Sequence, residues 1–312
     1  MAALVFQELP HPGLLRFSGE EAGAFLHNQL SCDVAALTFG HSTYGAYCTP
    51  KGRVLASFLL WRSEQGFFMQ LPSSLREPIQ KQLSKFILRS KVKAEDASGD
   101  RVLIGVAGKD AAALVQQVLG TAPTSPHDVV HVDGATVLRL PINRYEIAVT
   151  REQAPRLAEA LGAADKAGPE RWEWFTIRAG IPVILPATQE QFVPQMVNLD
   201  LIGGVSFQKG CYPGQEIVAR MHYRGTLKQR MVLANIAAEE RPQPGDKLYS
   251  PYYGEQASGA IVNAARSPEG GHDVLAVVQI ASAGKGDIHW QSLDGPALKL
   301  LPLPYQVTSE WN

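Results

Sequence analysis

The sequence predicts an α+β protein, with two α/β segments followed by a small C-terminal β-barrel or sandwich. Three observations support this prediction. The chain has 312 residues, of which 45% are hydrophobic and 19% charged, as in ordinary globular proteins of two or three domains. Up to about residue 227 the strand and helix patterns alternate. From about residue 228 short apolar runs separated by Pro, Gly and Asp predict closely spaced strands.

The first segment begins with a predicted strand, Leu14 to Phe17, and a helix with Ser18 as its N-cap that runs to about Leu30. Three strand-like runs, a helix opening at Ser73 and a closing strand complete the segment. The runs are Tyr44 to Cys48, Arg53 to Trp61 and Phe67 to Leu71, and the closing strand is Lys91 to Glu95.

The second segment has the order strand, helix, strand, strand, helix, which is ferredoxin-like. Its predicted elements are Val102 to Val106, Lys109 to Leu119, Val137 to Leu140, Glu146 to Val149 and Arg151 to Leu161. Pro169 then starts a further helix. Trp172 and Trp174 are two residues apart on that helix, so they are not expected to face the core together, and one should line a cavity or an interface.

Charge and composition exclude several classes of function. The formal net charge is −1, so no overall field attracts nucleic acid or an anionic membrane, and we expect no direct nucleic-acid partner. Val54 to Trp61 is among the longest apolar runs and is far too short to cross a bilayer. Met1 to Glu8 lacks the basic start and apolar core of a signal peptide. The eight histidines show no zinc-type spacing, so we expect no metal site.

The three cysteines have no metal-type spacing and fit free thiols in a reducing, cytoplasmic setting. Cys211 lies in the run Lys209-Gly210-Cys211-Tyr212-Pro213-Gly214-Gln215-Glu216, where the glycines and the proline predict a loop that displays its polar side chains. The basic residues beyond the run make Cys211 a candidate reactive thiolate. Cys32 and Cys48 are better explained as core residues.

The other polar residues of this stretch have plainer alternatives. Lys209 and Glu216 could form only a surface ion pair, and Gln215 could simply tie the loop to the backbone. Lys51-Gly52-Arg53 is half of a phosphate-binding pattern and is better explained as a turn.

The stretch from Gln191 to Arg220 resembles the signature of the YgfZ family, which is folate-binding and related to the T-protein of the glycine cleavage system. Its hallmark, Lys-Gly-Cys-Tyr/Phe-x-Gly-Gln-Glu, is matched at every fixed position from Lys209 to Glu216. Tyr223-Arg224-Gly225, Leu303-Pro304-Tyr305 and Arg178-Ala179-Gly180-Ile181-Pro182 are similar too.

The resemblance implies a cloverleaf of three domains, two of them α/β and the last a β-barrel. We place the folate-binding domain at residues 1–35 with 100–227, an inserted α/β domain at 36–99 and the barrel at 228–312. The implied ligand is tetrahydrofolate or a one-carbon-substituted folate. The implied function is support of iron–sulfur cluster assembly or repair, including in enzymes that thiolate transfer RNA, with those enzymes as partners.

The resemblance also implies site residues. Cys211 is the reactive centre, with Lys209 favouring its thiolate and Glu216 beside it. Trp172 is expected to stack on the pterin, Gln195 and Asn198 to offer amide hydrogen bonds, and Arg220 or Arg224 to bind the glutamate tail. The remaining expected folate contacts are Arg178, Tyr212 and Gln215.

The chain departs from T-protein in one place. Where T-protein has a catalytic aspartate after a glycine turn, the segment from Lys51 to Phe58 has no carboxylate, which argues against aminomethyl transfer. Two alternatives stay open. The first is a one-carbon transferase that uses Cys211 for covalent chemistry, and the second is a scaffold whose basic segment docks a partner.

Overall fold

The computed structural model describes residues 4–6, 9, 12–162 and 165–307, which form a mixed α/β structure. Its strands, in chain order, are β1 (Leu4–Phe6), β2 (Pro12–Ser18), β3 (Ser42–Cys48), β4 (Val54–Ser63), β5 (Gly66–Pro72), β6 (Lys93–Asp96), β7 (Arg101–Ala107), β8 (Val129–Val132), β9 (Ala135–Leu140), β10 (Arg144–Thr150), β11 (Asp165–Lys166), β12 (Gln229–Ile236), β13 (Lys247–Tyr249), β14 (Gly259–Arg266), β15 (His272–Gln279), β16 (His289–Trp290) and β17 (Leu298–Leu301). Its α-helices are α1 (Ala22–Gln29), α2 (Ser73–Ser84), α3 (Ala111–Leu119), α4 (Ala154–Ala160), α5 (Pro169–Arg178), α6 (Gln215–Arg224) and α7 (Ile280–Ala283).

The contacts divide the chain into two compact units. The first unit contains the described residues up to Gln29 together with Asp33–Tyr44 and Phe58–Trp172. The second contains Leu30–Cys32, Gly45–Ser57 and the described residues from Glu173 onwards. The predicted boundaries of three domains stay a prediction. The described ranges leave out residues 1–3, 7–8 and 308–312. These residues include the start of the first predicted domain, the end of the last one and most of Met1 to Glu8, the segment judged against a signal peptide.

One six-stranded sheet of the first unit has the order β11-β1-β7-β10-β9-β8. Strands β7, β10, β9 and β8 are antiparallel neighbours, and α3 and α4 contribute apolar side chains to the core on one face. The sequence predicted β7, β9, β10, α3 and α4 of this layer, but not β1, β8 or β11. Asp133-Gly134 is a strong hairpin turn between β8 and β9, and it was the available signal for β8.

A five-stranded sheet has the order β3-β4-β5-β2-β6, with α2 burying Leu75, Ile79 and Leu83 along one side. The helical spacing of these residues predicted that face. The expected N-cap was wrong, because Ser18 is the last residue of β2 and α1 begins only at Ala22.

The C-terminal sheet of the second unit has the order β16-β13-β14-β15-β12-β17 and curls into a half-barrel. Alternate residues of its central strands, such as Val232, Ala234 and Ile236, form its core. Strands β12, β14, β15, β16 and β17 correspond to the runs that the sequence predicts as strands, whereas the short β13 was missed. Those runs are Met231 to Ile236, Gly259 to Ala264, Val274 to Ile280, Asp287 to Gln291 and Leu298 to Leu303.

Helix α5 carries its two tryptophans in different compact units. Trp172 is 7% exposed and Trp174 is 8% exposed, so both are buried. The division between the units falls between Trp172 and Glu173, so the two tryptophans belong to different units, which fits the expectation that they do not face one core together. That one of them lines a cavity or an interface stays a prediction.

Candidate functional site

The loop from Lys209 to Gly214, here called the motif loop, belongs to the second unit and carries the one exposed cysteine of the chain. Cys211 is exposed, whereas Cys32 and Cys48 are buried, as the sequence predicted for all three. Burial raises the pKa of the Cys48 thiol to about 12, so this thiol stays protonated at neutral pH. Cys211 is therefore the cysteine that a partner or a dissolved ligand can reach.

Lys209 is packed beneath the loop instead of being displayed on it, which corrects the sequence prediction. Its side chain is 8% exposed, and its ammonium donates hydrogen bonds to the carbonyl oxygens of Leu30 at 2.6 Å and Cys32 at 3.1 Å. The same ammonium lies 5.0 Å from the centroid of the Tyr212 ring. A buried ammonium needs such partners, because its desolvation is otherwise costly. Lys209 thus ties the loop to the segment Leu30–Cys32.

Tyr212 is the second buried residue of the loop. It is 6% exposed, and burial, with Cys48 and Cys32 nearby, raises the pKa of its hydroxyl. Its hydroxyl oxygen has no hydrogen-bond partner among the described residues. Tyr212 therefore anchors the loop through its ring, directly after the exposed Cys211.

Gly214 ends the loop because no side chain fits at its position. Its φ is +82°, and an added Cβ would lie 2.4 Å from the Thr49 carbonyl oxygen and 2.6 Å from the Gly52 Cα. Gly52 has a φ of +70° and lies against Ile217. A Cβ added at Gly52 would be 3.1 Å from the Ile217 Cβ. The two glycines let the Thr49–Gly52 turn pack against the start of α6.

The predicted loop is two residues shorter than expected, because Gln215 and Glu216 form the first turn of α6. The side-chain Nε2 of Gln215 donates to the Lys209 carbonyl oxygen at 3.4 Å, which is the backbone tie that the plainer alternative describes. Glu216 is exposed. The catalytic roles of Lys209, Cys211 and Glu216 stay predictions.

Ser31 braces the other side of the loop, and sequence reasoning missed it. Its hydroxyl donates to the Gly204 carbonyl oxygen at 2.6 Å and accepts from the Ala46 N–H at 2.8 Å. The Ser206 N–H donates to the Ser31 carbonyl oxygen at 2.9 Å. No local pattern marks Ser31, because its partners are distant in sequence.

Two predicted folate contacts, Gln195 and Asn198, use their amide groups within the second unit. Gln195 Nε2 donates to the Val218 carbonyl oxygen at 2.7 Å, and Asn198 Nδ2 donates to the Met231 carbonyl oxygen at 2.9 Å. Arg230 donates to both carboxylate oxygens of Asp200, at 2.9 and 3.0 Å, and to Asn198 Oδ1 at 3.3 Å. These contacts stabilise the turn before the motif, and a folate contact by either amide stays a prediction.

The predicted arginines lie in two settings. Arg178 Nη1 lies 3.6 Å from Asp273 Oδ2, and its guanidinium carbon lies 5.9 Å from the centroid of the Trp174 ring. Arg220 and Arg224 are exposed on α6. The structure thus brings Arg220 and Arg224 together on the helix that follows Cys211.

The first unit contains a buried charged cluster that sequence reasoning missed. Arg144 and Glu146 lie on one face of β10, opposite the core residues Tyr145 and Ile147, and are 2% and 1% exposed. Gln70 Nε2 donates to Glu146 Oε2 at 3.3 Å, whereas Glu146 Oε1 has no hydrogen-bond partner among the described residues. Burial raises the pKa of Glu146 to about 7, against the opposing effects of Gln70 and Arg144.

Aromatic rings surround this cluster. The Arg144 guanidinium carbon lies 5.3 Å from the centroid of the Trp172 ring, and Phe6 meets Trp172 edge-on at 5.2 Å between centroids. Burial raises the pKa of the Tyr44 hydroxyl to about 12, although Arg144 lowers it by charge and hydrogen bond. Trp172, the predicted pterin-stacking residue, therefore belongs to a cluster with a buried carboxylate.

Among the described residues, no helix has both the length and the apolar character needed to span a bilayer. Within the same ranges no group of three or more His, Cys, Asp and Glu residues is placed to hold a metal ion.

Comparisons with known proteins agree with this architecture. The family model of the GCVT N-terminal domain matches residues 4–170. The tRNA-modifying protein YgfZ of Escherichia coli O127:H6 (strain E2348/69) is 32% identical over 308 residues, covering 97% of this chain and 94% of that protein. The tRNA-modifying protein YgfZ of Shigella boydii serotype 4 (strain Sb227) is 33% identical over the same length, with the same coverage.

A solved structure shows the fold. Glycine cleavage system aminomethyltransferase T from Bartonella henselae superposes with a TM-score of 0.75 at 18% identity, covering 97% of this chain and 86% of that one. The predicted α+β fold of the T-protein type is thereby confirmed. Together with the sequence relatives, this means that the chain belongs to the YgfZ family of GCVT-domain proteins.

Proposed function

We propose that this protein is a folate-binding accessory factor that supports iron–sulfur enzymes of tRNA modification, with Cys211 as its reactive group. The relatives named tRNA-modifying protein supply the link to tRNA. The observation that carries the proposal is the exposure of Cys211 on a loop whose neighbouring residues Lys209 and Tyr212 are buried. Such a loop presents its thiol in a fixed position.

An exposed, fixed thiol suits exchange with a partner. A thiolate can ligate iron, or it can attack the outer sulfur of a partner's persulfide, which transfers that sulfur to Cys211 and releases the partner's thiolate; both reactions require access from outside. One cysteine cannot supply all ligands of an iron–sulfur cluster, so the partner or small thiols would provide the others. The family's exposed cysteine therefore fits an accessory role better than a resident cluster.

The cluster around Glu146 fits the pterin of a folate. A pterin presents adjacent N–H donors on one edge and a flat aromatic face. The unpartnered oxygen of the Glu146 carboxyl group can accept one of those donors, and a buried carboxylate–donor pair is strong. Trp172 offers an aromatic ring in the same cluster. We propose that Glu146 and Trp172 contribute to folate binding, beside the contacts predicted from the family.

The first test separates the thiol from its surroundings. Cys211→Ala should abolish complementation of a strain that lacks the endogenous protein, measured as the thiolated nucleosides in its tRNA. Cys48→Ala, which changes a buried thiol, is the control and should retain function. Full tRNA thiolation with Cys211→Ala would show that the thiol is not the reactive group.

The second test concerns the ligand. Calorimetric titration with tetrahydrofolate should show saturable binding that Glu146→Gln and Trp172→Ala each weaken, roughly tenfold or more for a lost charged hydrogen bond. Circular dichroism would confirm that both variants fold. If the wild type binds no folate, the scaffold hypothesis is favoured. If it forms a one-carbon product from folate and an amine, the transferase hypothesis is favoured.

A further inference from the structure

Exposed aromatic and basic side chains lie together on and beside α6, in the same unit as the Cys211 loop. We propose that this aromatic–basic surface, defined by Phe207, Arg220, His222, Tyr223 and Arg224, binds unpaired nucleotides of RNA. The inference deepens the proposed function and rests on it for the choice of tRNA as the natural RNA. RNA binding tests this surface and tRNA thiolation by Cys211 variants tests the thiol, so the two proposals can fail separately.

The aromatic part consists of two stacked rings with a third, exposed ring beside them. Phe207 and His222 are stacked, with ring centroids 3.8 Å apart and planes at 11°. Tyr223 meets the His222 ring edge-on at 4.8 Å and the Phe207 ring at 6.3 Å. Despite these contacts Tyr223 is 67% exposed. Unpaired bases stack on such rings, and because every base has an aromatic face, this binding tolerates different sequences.

The basic part follows the same helix. Arg220 and Arg224 are four residues apart, so their side chains are neighbours on α6, and both are exposed. Such a pair of like charges destabilises a helix when no anion lies between them. Glu216, in the first turn of this helix, has the same four-residue spacing to Arg220, so it can offset only the charge of Arg220 and leaves that of Arg224. A phosphate group between the two guanidinium groups would turn that repulsion into attraction.

The glycine turn extends the positive charge. Gly52 packs against Ile217 at the start of α6, and its neighbours Lys51 and Arg53 are exposed. Lys228 is exposed just beyond the helix. The Lys51-Gly52-Arg53 turn, which has no role in the proposed thiol chemistry, thus adds two cations near the helix. A chain of phosphates needs an extended row of cations of this kind.

The combination favours unpaired RNA over duplex RNA. In a duplex the base faces are stacked on each other, so an exposed tyrosine ring has no base to contact. An unpaired loop offers base faces for Tyr223 and phosphates for the arginines. The net charge of −1 led us to expect no direct nucleic-acid contact, but a net charge averages over the chain and does not describe one surface.

The test measures fluorescence anisotropy at low salt with three labelled RNAs. These are an unmodified tRNA transcript, the anticodon stem-loop of that tRNA and a fully paired duplex of equal length. The wild type should bind the first two more tightly than the duplex. Tyr223→Ala should weaken stem-loop binding about tenfold, the loss of one stacked base, with little effect on the duplex. Arg220→Gln with Arg224→Gln should weaken binding to every RNA and make the salt dependence shallower by about 1.4, for two phosphate contacts.

The chain offers a matched control. Tyr252 is also an exposed tyrosine, at 53%, with the Lys285 ammonium 3.6 Å from its ring centroid, but it lies in the 3₁₀ turn after β13. Tyr252→Ala should leave stem-loop binding unchanged. Cys211→Ala should also bind RNA like the wild type, which separates this surface from the thiol.

Three results would overturn the proposal: no RNA binding by the wild type, equal affinity for duplex and stem-loop, or equal effects of Tyr223→Ala and Tyr252→Ala. If the surface variants lose tRNA thiolation in cells while the wild type binds no RNA, the surface contacts a protein instead. If RNA binding behaves as expected but Cys211→Ala keeps full tRNA thiolation, the RNA surface stands and the thiol proposal fails.

Discussion

The buried cluster around Glu146 and the loop around Cys211 place their polar groups in opposite ways. In the first unit, Arg144 and Glu146 are almost fully buried on a central strand. In the second unit, a thiol is exposed while Lys209, its neighbour but one, is buried. The first region buries its charged groups, whereas the second exposes its thiol. The two regions therefore differ in the interactions that stabilise them and in how well the sequence predicts them.

The difference is one of hydrogen bonding. The buried ammonium of Lys209 has two carbonyl acceptors, and these hydrogen bonds offset the cost of removing its charge from water. Of the two carboxylate oxygens of Glu146, only Oε2 accepts a hydrogen bond, from Gln70. The raised pKa of Glu146 shows that this bond does not offset the cost of burying the charged form. A satisfied buried charge is a brace, whereas an incompletely satisfied one is a candidate binding group.

The largest expected effect comes from adding a side chain at Gly214. Gly214→Ala would place a Cβ 2.4 Å from the Thr49 carbonyl oxygen, so backbone must move. We expect a loss of roughly 3–4 kcal/mol in the free energy of unfolding and faster alkylation of Cys211 by iodoacetamide, because the loop loses its fixed shape. Gly203→Ala is the control.

Gly203 has a similar φ of +77° but no atom within 4 Å of an added Cβ. Gly203→Ala should therefore cost only about 1 kcal/mol, the backbone strain alone. Equal unfolding midpoints in urea for the two variants would show that the approach of Thr49 does not constrain the loop.

Removing the buried ammonium should have a smaller effect. Lys209→Met leaves the carbonyl oxygens of Leu30 and Cys32 without this donor, and we expect a loss of about 2 kcal/mol in the free energy of unfolding. Lys228→Met, which removes an exposed ammonium in the same unit, should change stability by less than about 0.5 kcal/mol.

The same pair of variants separates two roles of Lys209. A brace predicts that Cys211 in Lys209→Met reacts faster with iodoacetamide, since the loop is looser. A partner that favours the thiolate predicts slower alkylation, since less thiolate forms. Slower alkylation with unchanged stability would contradict the bracing role.

The sequence showed the loop and its thiol because the signal is local. Two glycines, a proline and a cysteine within eight residues predict an irregular, displayed segment, and that prediction agrees with the exposure of Cys211. The burial of Lys209 could not be predicted in the same way. Its acceptors are 179 and 177 residues away, and their approach depends on the tertiary fold.

Glu146 was missed for a related reason. The pattern Arg144-Tyr145-Glu146-Ile147 alternates polar and apolar residues, which predicts a strand with one face in solvent. Tyr145 and Ile147 do face the core, but Arg144 and Glu146 are buried as well. Whether the second face of a strand is covered depends on other parts of the chain, so a local pattern cannot show it.

The buried cluster should make the stability of the protein depend on pH. The folded-state pKa of Glu146 is about 7, above its ordinary value of 4.5, so the folded protein holds this proton more tightly than the unfolded chain. Stability from this group is therefore highest below pH 4.5 and falls as the pH rises to about 7. Glu146→Gln removes the titration, so its free energy of unfolding relative to wild type should rise across this window, by up to roughly 3 kcal/mol for a pKa that moves from 4.5 to about 7.

Urea unfolding of both proteins at a series of pH values measures this difference. Gln70→Leu sharpens the test, because the Gln70 hydrogen bond lowers the pKa of Glu146, and its loss should move the window to higher pH. Tetrahydrofolate links the window to binding. A donor on the Glu146 carboxylate favours its charged form, so the ligand should move the window to lower pH in wild type and leave Glu146→Gln unaffected. A window that is the same with and without ligand would place the pterin away from Glu146, and the cluster would then be a structural feature of the first unit.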